Sequence, residues 1–210
     1  MWFLISGCAG LALGIFFKFL VLLKLRVALH YELDELAEQS HNDRVSKWEQ
    51  FFSSRAVWQI NTIGLNRSAK VNGGAAFSET RSKIALSKRL PYYIKTNQSF
   101  VYFKLKSEKM VILPDRILIC KNGRFGAINY DNLTISAVDK RFVEEGIVPR
   151  DAFQVGKTWK YVNKNGSPDR RFNNNYLIPV CLYGYLTLTS ANGLNVQLSC
   201  SNHDNINGFR

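Results

Sequence analysis

The strongest constraint on this chain is the spacing of its turn signals beyond residue 86. Three blocks, PYYIKTNQSFVYFKL, KMVILPDRILICKNGRFGAINYDNLTISAV and IPVCLYGYLTLTSANGLNVQLSC, are rich in Val, Ile, Tyr, Phe and Thr. Asn97, Pro114-Asp115, Lys121-Asn122-Gly123, Asp131-Asn132 and Asn192-Gly193 interrupt them at intervals of about ten residues, the rhythm of short strands joined by tight turns. Strands this short are stable only when they share a core. The pattern therefore predicts a small antiparallel barrel or sandwich over residues 86–210. The less regular FVEEGIVPRDAFQVGKTWKYVNKNGSPDRRFNNNY, between the second and third blocks, reads as a long insertion loop across the barrel mouth.

The other strong pattern is at the N-terminus. Trp2 to Phe17 carry no charged side chain, and the apolar run resumes after Lys18 as far as Leu23. As a helix this stretch is about 30 Å long, enough to cross a hydrocarbon core. Lys24 and Arg26 follow at once, and the positive-inside rule then predicts a single-pass inner-membrane protein, N-terminus outside and the rest cytoplasmic. A cleaved signal fits poorly, because the segment has no basic n-region, is too long and lacks a small-x-small site. A core helix of a globular domain is the other reading; Lys18 interrupts the run, but near a membrane interface it can snorkel. Gly7, Gly10 and Gly14 include a GxxxG, which predicts self-association into a homo-oligomer.

Leu25, Leu29, Leu33 and Leu36 continue at helical period, and Ser40-His41-Asn42-Asp43 reads as a break before a second helix bearing Val45, Trp48, Phe51 and Phe52. Residues 61–85 are polar and Gly-rich. The expected fold class is thus α+β: a transmembrane helix over 1–25, stalk helices over 26–60, a linker over 61–85, and a cytoplasmic β-rich domain over 86–210.

The chain of 210 residues carries a net charge of +12. On a free protein this points to nucleic acid; beside a membrane it is equally explained by anionic lipid. Lys18, Lys24, Arg26, Lys88 and Arg89 are on that view lipid or juxtamembrane contacts, and nucleic acid is the less expected partner. Cys8, Cys120, Cys181 and Cys200 have no CxxC or metal spacing and read as reduced thiols.

Catalytic motifs are weak throughout. Gly156-Lys157-Thr158 ends like a phosphate-binding loop, but Asp151 stands where its first glycine belongs. His30, His41 and His203 show no spacing that would pair them on a metal. Pro114-Asp115 and Pro168-Asp169 lack the acidic-x-Lys strand of a nuclease, and Glu144-Glu145 reads as a solvated turn. The expectation is no enzyme and no cofactor. The most unusual local composition is Lys164 to Asn175, where Arg170, Arg171, Asn173, Asn175, Lys164 and the nearby Trp159 could hold a phosphate or a planar base. The alternative there is a turn in which Asp169 pairs with an arginine and the asparagines satisfy backbone groups.

Within MVILPDRILICKNGRFGAINYDNLTISAVD, Asp115, Arg116, Ile117, Leu118 and Ile119, then Ile128, Tyr130, Asp131 and Leu133, form a strand–turn–strand signature. It resembles the hairpin of bacterial pleckstrin-homology-like and GRAM-like modules. That resemblance implies a small barrel that binds lipid headgroups or proteins without chemistry. The family closes its barrel with a C-terminal helix, whereas this chain ends in strands and the polar SNHDNINGFR. The functional expectation is a membrane-anchored sensing or docking protein binding a protein partner or anionic lipid. The first alternative is a nucleotide-signal-gated membrane effector of a bacterial anti-phage system. The second is a membrane-tethered nucleic-acid binder.

Overall fold

The computed structural model describes Gly14, residues 27–65 and residues 77–210. The fold is mainly β: strands β1 (Val27–Leu29), β2 (Val57–Leu65), β3 (Phe77–Lys83), β4 (Ile94–Thr96), β5 (Val101–Lys104), β6 (Glu108–Ile112), β7 (Arg116–Lys121), β8 (Arg124–Asn129), β9 (Leu133–Val143), β10 (Phe153–Trp159), β11 (Leu177–Ser190) and β12 (Asn195–Cys200). Among residues 27–65 and 77–210, one α-helix, α1 (Glu35–Phe52), and short 3₁₀ turns at Tyr130–Asn132 and His203–Phe209 accompany the strands.

Strands β5 to β8 form an antiparallel meander. Its last turn is Asn122-Gly123, with φ of 50° and 76°, the left-handed pair that a two-residue hairpin demands. The larger sheet runs β10-β11-β12-β2-β3, with β9 on the other edge of β11. All of β9 pairs with Val180–Ser190, while the opposite edge of β11 is shared by β10 over Leu177–Leu182 and β12 over Gly184–Thr189. Alternation gives β11 two buried faces. Leu186 and Leu188 join Val196, Leu198 and Cys200 against Phe103, Met110, Ile112 and Ile117 of the meander, making the main core. Cys181, Tyr183 and Tyr185 point the other way into a second cluster.

The larger sheet is strongly curled. Edges β9 and β3 would lie about 19 Å apart if it were flat, yet the Arg81 guanidinium of β3 sits 4.1 Å from the Phe142 ring centroid of β9. The curl shelters Tyr183 and Tyr185. Helix α1 starts where the Asp34 carboxylate accepts from the Ala37 N–H at 2.8 Å, with Glu35 and Glu38 in the favourable first turn. His41, Val45, Trp48 and Phe51 form its buried face. Trp48 packs 5.5 Å from Phe103 and 5.1 Å from Phe209, so the C-terminal 3₁₀ turn and the helix together close one end of the main core. Gly184 permits that closure: a Cβ there would stand 2.8 Å from Ile206 Cγ2 and 3.0 Å from Cys200 Sγ.

These features correct the expected architecture. Val27–Leu29 is a strand pairing parallel to Ile94–Thr96, not the start of a helical stalk. Asn97 extends that pairing, accepting from Tyr31 N–H and donating to Tyr31 O, both at 2.9 Å. The Leu25–Leu36 stripe therefore divides: Leu29 packs under the meander's outer layer, while Leu36 is 78 % exposed. Ser40 to Asp43 breaks nothing, because α1 runs through it with His41 in the core. The second stalk helix ends at Phe52, and Val57 to Ile60 pair with β12 instead. Residues 61–65 and 77–83, polar enough to read as linker, form a hairpin arm.

The transmembrane expectation is overturned as well: among the described residues no helix is long and apolar enough to cross a membrane. The predicted span, with Gly7, Gly10, Lys18, Lys24 and Arg26, lies outside the described residues. Gly14 is described, as a helical residue with open space around it. A single-pass inner-membrane location with N-terminus outside is accordingly not retained.

Candidate functional site

The Arg/Asn segment folds as a lobe on the β10–β11 hairpin. Trp159, the last residue of β10, is opposite Leu177, and Lys160 N–H donates to Tyr176 O at 2.9 Å. Arg171 grips Asp169 with two nitrogens: Nε donates to Oδ1 at 2.9 Å, and the terminal nitrogen to Oδ2. The Asn175 side chain accepts from Tyr161 N–H at 3.0 Å and donates to Tyr161 O at 2.8 Å, standing in for a strand neighbour. Phe172 stacks on Tyr161 with centroids 4.0 Å apart. The lobe thus brings the six predicted residues into one region, with Arg171 and Asn175 holding the lobe together. Lys164, Arg170 and Asn173 are exposed on it.

A second cluster fills the concave side of the larger sheet. Arg81 donates to both carboxylate oxygens of buried Glu144, at 3.0 and 2.9 Å, and lies over the rings of Trp58 and Phe142. Tyr183 donates to Glu144 at 2.9 Å, and Tyr185 to Glu79 at 2.6 Å. Burial first, then the neighbouring carboxylates, push both phenols up, so they stay protonated donors. Glu144 accepts from both Arg81 and Tyr183 and Glu79 accepts from Tyr185, contacts that tie β3, β11 and the segment after β9 together across the concave side. Beyond Tyr185 the concavity opens into a cleft of about 270 Å³ lined by Ile60, Asn61, Ile63, Asn195 and Gln197.

The third surface is the outer face of the meander. Residues 83–124 hold ten basic and two acidic side chains, a net +8 of the whole chain's +12. Register aligns part of this charge. Lys104 is opposite Lys109, Lys109 opposite Cys120, and Cys120 opposite Phe125, one row across all four strands. The next row, Glu108, Lys121 and Arg124, points to the opposite face of the meander by strand alternation, and there Lys121 pairs with Glu108 at 2.8 Å. Tyr93 leans on the row from the β4 segment, its ring 5.2 Å from Phe125 and 5.2 Å from Tyr92, with Lys109 Nζ 5.8 Å away. Tyr92 and Phe125 are 54 % and 58 % exposed. Lys88, Arg89 and Lys95 are exposed along the segment that delivers the two tyrosines.

Lys88 and Arg89 are predicted basic contacts that therefore flank this face. Sequence reasoning missed Lys104, Lys109, Tyr92 and Phe125. Their signal was present: lysines at alternate positions, and an Asn-Gly turn fixing which residues of β7 and β8 are opposite. Among the described residues no group of His, Cys, Asp and Glu could hold a metal. Compared with family models, curated proteins and solved structures, the chain matches none.

Proposed function

We propose that this protein is a non-enzymatic docking module that holds a polyanionic partner on the outer face of its meander. The carrying observation is the concentration of net charge in residues 83–124, with Lys104 and Lys109 side by side. Two like charges directly opposite on adjacent strands destabilise a sheet. Their presence on a solvent face is relieved by a ligand with regularly spaced negative charge. The docking expected from the sequence is kept, and its surface is assigned here to the meander.

The test is retention of the full chain on an immobilised polysulfate. A salt gradient should elute it late, and Lys104→Glu with Lys109→Glu should elute markedly earlier, because each phosphate or sulfate contact adds a counterion to the salt slope. Identical elution of the wild type and the charge-reversed variant would remove the proposal.

A further inference from the structure

The exposed rings narrow the partner, on the assumption that the polyanion reading holds. We infer that the polyanion is a single-stranded nucleic acid, with Tyr92 and Phe125 stacking on its bases while Lys104 and Lys109 follow its backbone. Charge alone does not require rings. The face of an aromatic ring carries the negative end of its quadrupole, so it repels carboxylates and sulfates but stacks on any nucleobase. Here two rings, each more than half exposed, flank Tyr93 within the basic row. Contact with Tyr93 holds both in fixed orientations, so little side-chain freedom is lost on stacking.

The alternatives fit less well. A duplex keeps its bases inside and offers no faces to Tyr92 and Phe125. A bilayer surface favours a continuous apolar patch, whereas these rings share their face with Lys104 and Lys109. An acidic peptide would use the lysines and leave the rings without a partner. The occupant that uses both kinds of side chain is a flexible strand with bases turned out.

The experiment is fluorescence anisotropy of the full chain with a labelled mixed-sequence oligonucleotide of about 20 nucleotides, a length that spans a strand-binding surface of this kind. The duplex of the same sequence, a polysulfate, and phosphatidylcholine vesicles with and without phosphatidylserine are run beside it. The strand should bind more tightly than the duplex at equal salt. Tyr92→Ala with Phe125→Ala should weaken the strand by roughly tenfold per ring and leave polysulfate binding unchanged. Tyr92→Leu with Phe125→Leu keeps an apolar side chain without a stacking face and should behave the same way. If charge reversal abolishes binding of both probes but ring removal changes nothing, the docking reading stands and the nucleic-acid inference falls. Equal affinity for strand and duplex, or ring-dependent binding to phosphatidylserine vesicles alone, would overturn it too. If neither strand nor polysulfate binds, the docking reading itself has failed.

Discussion

Arg81 and Glu144 offer a measurable test of how the curled sheet is held. Their side chains are 16 % and 7 % exposed, and the guanidinium bridges strand β3 to the rings of Trp58 and Phe142 as well as to the carboxylate. Removing one partner of a buried ion pair strands the other in a poor solvent, a loss of about 3–5 kcal/mol. Arg81→Met should therefore destabilise the fold by about that amount. With a urea slope of about 2 kcal/mol per molar, the midpoint falls by roughly 2 M. Glu144→Gln keeps an acceptor for Tyr183 but leaves Arg81 without a counter-charge, so it should also be costly. The double variant leaves no uncompensated charge and keeps the Tyr183 acceptor. Its loss should fall short of the sum of the single losses by at least about 1.5 kcal/mol, within the range measured for contacting residues. Urea unfolding of the four proteins, followed by tryptophan fluorescence, gives the cycle. If the single losses simply add to within about 0.5 kcal/mol, the pair does not act as a unit and the account of the curl is wrong.

Gly184→Ala should lower stability by about 1–3 kcal/mol, because Ile206 and Cys200 must retreat from the new methyl; thermal unfolding reads this directly. His41 is buried with Nε2 2.7 Å from Ser99 O, and burial, with Arg44 contributing, holds its pKa below the ordinary 6.5. The unfolded chain then binds the extra proton first. This contribution is complete above about pH 6.5 and lost as pH falls below it, a decline that His41→Gln should reduce. Of the three described thiols, buried Cys200 is pushed up to about 12, chiefly by burial, while Cys120 is partly exposed. Maleimide should label Cys120 well before Cys200 in the native protein, with mass spectrometry of the peptides deciding.

The sequence was most legible where structure is local. The Asn122-Gly123 and Asn192-Gly193 turns, the meander and the β11–β12 hairpin follow from alternation and turn chemistry over a few residues. The misreadings share a cause, which is that the deciding partner is far away in the chain. Val27–Leu29 fits a helical stripe until Ile94–Thr96 supplies a strand beside it. Val57 to Ile60 extend a helix on paper, but Gln197 to Cys200 draw them into a sheet. Ser40 to Asp43 have breaker residues, yet the carbonyl of Ser99 gives His41 a buried partner and the helix continues. The site was half legible. The Arg/Asn segment stood out by composition, and the turn-forming alternative accounts for its Asp169–Arg171 pair and for Asn175. The basic face needed register, because Lys104, Lys109 and Phe125 are neighbours only once three turns have been placed.

The shared edges of β11 also bear on the order of assembly. Its three neighbours begin at residues 133, 153 and 195, and β12 then reaches back to β2 near residue 57. During synthesis the meander of residues 101–129 can pair as soon as it emerges, since each of its strands is hydrogen-bonded to the next in sequence. The larger sheet has no centre until residue 190 is made, and β2 has no neighbour on its β12 side until residue 200. The β2–β3 arm and the face of β9 must therefore wait through most of translation with open edges. That interval is the period in which a nascent chain of this design is most exposed to mispairing and most dependent on chaperones.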